Sequence, residues 1–208
     1  MLSYYPYNPN IHNFGNIGFK GRIHSELAPL FTKLIDIKAY NGRNIRQEII
    51  EDLQPKKNKI LDICCGIGIS TAKNAYGIDT SQQMLQKARR EFKNKNFLRA
   101  NAENIKMKNL QDKFNINFDK FDYVTCMFAF HEMPPEAHET IIENSINLAK
   151  KEIIILDISS DYKISRLMRA GEPYLLKYLK TIDNTMNRYS FSKTNYIPKH
   201  ATLWKYTV

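Results

Sequence analysis

Residues 60–79, ILDICCGIGISTAKNAYGID, restrict the fold more than any other stretch of the chain. A short apolar run carries Asp62, Gly66 and Gly68 follow, and a second short run ends in Asp79. Runs of this length bounded by turn formers read as buried strands, because a helix needs more residues to make a stable face. The two glycines allow the backbone to turn tightly and to approach a ligand. A parallel sheet that sets the two strand ends side by side is the natural solution, with ligands gathering at the carboxyl ends of the strands.

The rest of the chain repeats that alternation. Leu27, Leu30, Phe31, Leu34 and Ile35 recur at three- and four-residue spacing inside a helical stretch over 23–53, interrupted near Asn41-Gly42. After Gly68 a helix is expected almost at once, then strand 76–79, helix 81–92, a strand near 96–100 and polar residues 106–120. A buried strand over 121–128, a helix over 135–150 and a strand over 152–158 complete a βαβ series, which predicts a parallel α/β sheet. The last fifty residues predict a helix over 164–187, broken at Ala170-Gly171, and two strand-like runs, 187–197 and 201–208. Two adjacent late strands predict an antiparallel pair on one edge of the parallel sheet.

With 208 residues, 43% hydrophobic, the chain suits one domain with one sizeable core. No apolar run approaches the roughly 18 residues that span a bilayer. The first twenty residues hold Tyr, Asn and Pro where a secretory signal needs a continuous apolar stretch, so a cytoplasmic setting is expected. The net charge of +10 raises the question of nucleic acid. Part of it has a compositional origin: 25 Ile and 22 Lys stand against 2 Val and 9 Arg, as an AT-rich coding sequence produces. The excess is still uneven, +8 over 54–110 and +6 over 161–208, and residues 87–108 hold eight basic residues against two acidic ones. That stretch reads either as a phosphate-facing surface or as a solvated helix face.

Cys64, Cys65 and Cys126 form neither a disulfide framework nor a CxxC metal site, and the five histidines are scattered. His131-Glu132 begins like a zinc-protease motif, but position 135 is Pro, so no metal is expected. An acid at the end of the second strand, Asp79, suits both hydroxyls of a ribose and calls for an adenosine-containing ligand, either NAD or S-adenosylmethionine. The dinucleotide fingerprint requires glycine at position 71, where Thr71 stands, and this weakens the NAD reading.

At this point the sequence resembles the class I S-adenosylmethionine-dependent methyltransferases, in particular the group with an LDxGCGTG signature that includes ubiquinone and menaquinone methyltransferase-like domains. ILDICCGIG (60–68) resembles their glycine-rich motif, YGIDTSQQML (76–85) the ribose-binding motif, RANAENI (99–105) the adenine loop and FDYVTCMFAFHEMP (121–134) the fourth-strand motif. The resemblance implies a Rossmann-like, doubly wound, mostly parallel seven-stranded sheet with an antiparallel C-terminal pair and an N-terminal helical lid. It implies S-adenosylmethionine as cofactor, S-adenosylhomocysteine as product, and a small-molecule acceptor. RNA or protein as acceptor is the alternative, on the basic surfaces, and a non-catalytic module of the same fold is a second.

Carried over residue by residue, the resemblance implies that Asp62 orients the cofactor's amino group while the backbone of Cys64, Cys65, Gly66 and Gly68 lines its methionine part. Asp79, followed by Thr80, would hold the ribose, Asn101 and Ala102 the adenine edge, and Met127 would lie beside the sulfonium. Cys64 replaces the family's first glycine, which predicts a negative φ there. Only 11 residues separate Gly68 from Asp79, so the first helix and second strand must be clipped.

Methyl transfer asks the protein to align the acceptor, exclude water and remove a proton where needed. His131 is the candidate base, with Glu132 beside it or capping the helix near Pro135. Within the single domain, 1–55 is expected to form the lid, 56–160 the cofactor-binding core, and 161–208 the substrate-side helix and hairpin. Tyr4, Tyr5, Tyr7, Phe14 and Phe19 are expected to make an aromatic cover over the pocket, and 166–179 its second wall.

Overall fold

The computed structural model describes residues 7–208. Three helices come first: α1 (Pro9–His12), α2 (Gly18–Ala39) and α3 (Ile45–Asp52). Then follow β1 (Ile60–Ile63), β2 (Tyr76–Asp79), α4 (Gln82–Glu91), β3 (Asn96–Arg99) and α5 (Met107–Phe114). The chain continues through β4 (Phe121–Met127), α6 (Pro135–Leu148), β5 (Ala149–Ile158), α7 (Arg166–Gly171) and α8 (Leu175–Arg188), and ends in the hairpin β6 (Ser192–Ile197) and β7 (Ala201–Thr207). The seven strands form one sheet in the order β3-β2-β1-β4-β5-β7-β6. The first five are parallel, and β7 pairs antiparallel with both β5 and β6. The order reverses between β1 and β4, the topological switch point of a doubly wound sheet.

Local chemistry explains the elements. The Ser81 hydroxyl caps α4 by accepting from the Met84 N–H, and Met84, Leu85 and Ala88 turn inward at helical spacing. Asn115 ends α5 in the left-handed conformation with φ +53°. All four residues of β1 are buried, as both faces of a central parallel strand require. Along β5, Ile153 and Ile155 join a core cluster with α6 and α8, whereas Ile154 and Leu156 join another with α3. Successive strand residues point to opposite faces, so the sheet separates two cores.

One expectation needs correction. No helix joins β1 to β2: with β2 occupying 76–79, only seven residues lie beyond Gly68, too few for a helix and its return. The polar stretch 106–120 does contain a helix, α5, because Leu110 supplies a single buried anchor. Among the described residues no helix is long and apolar enough to cross a membrane.

Candidate active site

The loop after β1 curls through three left-handed residues, Cys64 (φ +54°), Gly66 (φ +53°) and Gly68 (φ +80°). The curl aims the Gly66 N–H at a carboxylate oxygen of Asp79, 2.8 Å away. The expectation of a negative φ at Cys64 is overturned: the turn that brings Gly66 to Asp79 requires the left-handed region one residue after β1. A cysteine held there stores about 1–3 kcal/mol of backbone strain. Gly68 is required for space as well, since a Cβ there would lie 2.6 Å from the Phe97 ring. Asp62 is fully buried and accepts hydrogen bonds from the hydroxyls of Ser70 (3.0 Å), Thr71 (2.7 Å) and Thr125 (2.9 Å). Burial pushes its carboxyl up to about 6, and these hydroxyls hold it from rising further. Its bonds tie the end of the glycine loop to β4.

Beside this loop lies a small cavity of about 40 Å³, partly open to solvent. Cys64, Asp79, Thr80, Asn101 and Ala102 line it together, whereas Asp62, Cys65, Gly66, Gly68 and Met127 do not. Asp79 accepts from Gly66 N–H through one oxygen and from Ser81 N–H through the other, at 2.8 Å each. Burial raises its pKa against those backbone bonds. A carboxylate oxygen has two lone pairs, so each keeps one acceptor site for a ligand hydroxyl. The Asn101 carbonyl oxygen caps the 3₁₀ turn at Ala102–Asn104 by accepting from Glu103 N–H at 3.0 Å. Met133, Ala137 and Ile141 add an apolar wall.

The N-terminal segment covers this cavity. Tyr7 and His12 line it, and His12 Nε2 lies 3.5 Å from Glu103. The Asn13 side chain accepts from the Thr80 hydroxyl at 2.5 Å and donates to Tyr7 at 2.8 Å. The Asn16 carbonyl accepts from Ser81, and its side-chain amide donates to Glu132 at 3.3 Å. The aromatic cover is corrected accordingly: Tyr7 belongs to it, Phe14 and Phe19 are 51% and 78% exposed, and Tyr4 and Tyr5 lie outside the described residues. Asn13 pins the end of β2 through its side-chain amide at Thr80, and Asn16 through its backbone carbonyl at Ser81.

A second constellation adjoins the first through Met133. His131 sits in the 3₁₀ turn after β4, buried, with Nδ1 at 2.5 Å from Asp157 at the end of β5. Its Nε2 faces Glu172 at 3.5 Å and Glu132 at 4.0 Å. Burial disfavours the imidazolium, but the charge and hydrogen bond of Asp157, backed by Glu172 and Glu132, outweigh it and hold the pKa up at about 9. Partial burial and the carboxylates of Glu172 and Asp157 raise the Glu132 pKa, and the His131 charge restrains it; the side chain stays 42% exposed, so solvent tempers the rise. Glu132 caps no helix: α6 starts after Pro134 without a side-chain cap. Segment 166–179 contributes Glu172 to this cluster. Asp157 and Glu172 had no role in the reading of the sequence, although IIILDI repeats the signal that marked Asp62, an acid near the end of an apolar strand. Nothing local marked Glu172, Glu103 or His12 as neighbours of the site.

Residues 60–152 match the family model described as a methyltransferase domain. No curated protein matches the chain. The PH0226 protein of Pyrococcus horikoshii OT3 superposes with a TM-score of 0.58 at 17% identity, over 91% of this chain and 99% of that one. A SAM-dependent methyltransferase of Thermotoga maritima gives 0.58 at 14% identity, over 89% and 97%. Magnesium protoporphyrin IX methyltransferase from Synechocystis PCC 6803, solved with bound SAM, gives 0.52 at 13% identity, over 99% and 87%. The fold is that of the class I methyltransferases. Residues 60–152 are matched as a methyltransferase domain, and one of the solved structures sharing the fold holds S-adenosylmethionine.

The cavity's lining suits the nucleoside half of S-adenosylmethionine in its chemistry. It offers acceptors on Asp79 for hydroxyls, polar edges at Asn101 and Glu103, and apolar walls from Cys64, Met133, Ala137 and Ile141. The place of a Cβ on Gly66 is open, with nothing within 4 Å. Among the described residues no group of three His, Cys, Asp or Glu is arranged to hold a metal ion.

Proposed function

We propose that the protein methylates a small-molecule acceptor in a covered pocket. The observation that carries this reading is the cover itself: Tyr7 and His12 close over the cavity lined by Asp79 and Asn101. A concave site with Tyr7 and His12 over one side suits a small ligand better than a polymer. The basic stretch of α4 gives RNA little support, because Lys87 and Arg90 both pair with Glu26. In this reading residues 1–55 are the lid, 56–160 the cofactor-binding core and 161–208 the substrate side, in a cytoplasmic enzyme.

When bound, S-adenosylmethionine supplies an electrophilic methyl group on a positively charged sulfur. Asp79 holds the ribose hydroxyls, Asn101 and Ala102 meet the adenine edge, and the backbone of Cys64 to Gly68 runs along the methionine part with Met127 beside it. Asp62 acts through the hydroxyls of Ser70 and Thr71, holding the loop in shape. The Asn13 and Asn16 hydrogen bonds keep the lid shut and water out. Glu132 in its carboxylate form, stabilised by charged His131, takes the proton of an acceptor and becomes a neutral carboxylic acid.

Calorimetric titration with S-adenosylmethionine and S-adenosylhomocysteine, followed by a screen of amine, carboxylate and phenol acceptors, tests the reading. Micromolar cofactor binding with turnover of a small acceptor is expected. Turnover only on RNA or protein would replace the acceptor class, and a folded protein that binds neither ligand would leave an interaction module.

A further inference from the structure

Helix α2 is built inside out. Gly21 and Ser25 are its buried residues, with Ala28, Thr32, Asp36 and Ala39 half-buried on the same side. Its large apolar residues are exposed: Phe19 is 78% exposed, Phe31 50% and Ile37 54%, while Leu30, 55% exposed, borders a groove against Ile67 and Phe92. Ile23, Leu27, Leu34 and Ile35 fill the gaps, each more than two-fifths exposed. At 100° per residue these eight side chains cover a sector of about 160°, wider than the seam of a two-stranded coiled coil. The helix is nevertheless fixed in place. Glu26 pairs with Lys87 and Arg90 of α4, and Asp36 pairs with Arg46 of α3. A Cβ on Gly21 would lie 2.4 Å from the Asn16 carbonyl carbon, so this face of the helix sits directly on the lid.

We propose that the outward face of α2 docks the protein on an anionic lipid surface. Charge complementarity selects this occupant. Exposed Lys20 and Lys38 lie inside the apolar sector near its two ends, separated by 18 residues or about 27 Å of helix. Exposed Arg89 and Lys93 lie on and just after α4, which packs beside α2, and the whole chain carries +10. A second copy of the chain fits poorly: an antiparallel twofold brings Lys20 against Lys38, and a parallel one brings each against itself. An anionic bilayer interface takes both features at once, apolar side chains entering the headgroup boundary and lysines reaching the phosphates. The sector is one-sided, as a helix lying in the interface requires. This inference is independent of the methyl acceptor.

Co-sedimentation of the full chain with vesicles tests it, using phosphatidylcholine alone and phosphatidylcholine with one-third phosphatidylglycerol. Binding to the mixed vesicles about tenfold above the pure ones is expected, falling in high salt. The Leu30→Glu/Phe31→Glu variant should lose that binding about tenfold while its circular dichroism stays unchanged, and Lys20→Gln/Lys38→Gln should lose part of it. Absence of sedimentation by the folded protein, or equal binding by the glutamate variant, would overturn the proposal. So would a dimer in light scattering that the glutamate variant dissolves, since that assigns the face to a second copy.

Discussion

His131 Nδ1 lies 2.5 Å from Asp157 Oδ1, joining the ends of two neighbouring parallel strands, β4 and β5. The other Asp157 oxygen accepts from the Phe130 N–H at 2.8 Å. The turn after β4 is therefore built on one carboxylate, and the charge of His131 depends on it. Because pairing raises the His131 pKa from 6.5 to about 9, its contribution to stability is fully present below pH 6.5 and lost as pH rises through 9. Asp157→Asn removes the partner of a buried cation and is expected to cost about 3–5 kcal/mol, measured by denaturant unfolding at pH 6. The deficit should shrink above pH 9.

The same cluster sets a pH profile. Turnover is expected to rise as Glu132 gives up its proton near pH 7 and to fall as His131 loses its charge near pH 9. Glu132→Gln should abolish the acid limb and lower kcat by about a hundredfold or more with cofactor affinity intact. A single limb near 9, rising with pH, would instead assign the base to neutral His131.

Asp79→Ala removes both acceptors proposed for the ribose and releases the Gly66 and Ser81 N–H groups. Each charge-assisted hydrogen bond contributes about 1.5–3 kcal/mol, so the loss of affinity should reach at least tenfold. Calorimetric titration with S-adenosylhomocysteine measures it, and an unchanged Kd would separate Asp79 from the cofactor.

Backbone strain at Cys64 predicts an order of stability. Cys64→Gly relieves the left-handed conformation and is expected to hold or raise stability by up to about 1 kcal/mol, with the gain limited by the entropy of glycine. Cys64→Val, β-branched in that conformation, should lose about 1–3 kcal/mol. Thermal unfolding of the two variants beside the parent provides the comparison.

Gly21→Ala should act on the lid alone. The added methyl pushes on the Asn16 backbone, whose carbonyl and amide hold Ser81 and Glu132. Faster hydrogen exchange over 12–17 is expected with the core amides unchanged, together with a raised KM for the cofactor. An unaltered exchange pattern would show that α2 absorbs the methyl by shifting.

Much of this was legible along the chain. The strand and helix order, the glycine loop and Asp79 follow from periodicity and turn chemistry, which neighbouring residues decide among themselves. The 11-residue spacing from Gly68 to Asp79 pointed to a clipped first helix, whereas the structure has no helix between β1 and β2. The partners of His131 were not legible: Asp157 lies 26 residues away and Glu172 41, brought together by parallel pairing and by the packing of 166–179. The left-handed Cys64 was hidden for a related reason, because its φ answers to a hydrogen bond from Gly66 across to β2. Helix α2 marks the boundary most plainly. A repeat of Leu27, Leu30, Phe31 and Leu34 reveals an apolar face, but periodicity says nothing of what that face meets. The tertiary structure turned the small residues inward and left the apolar face outside.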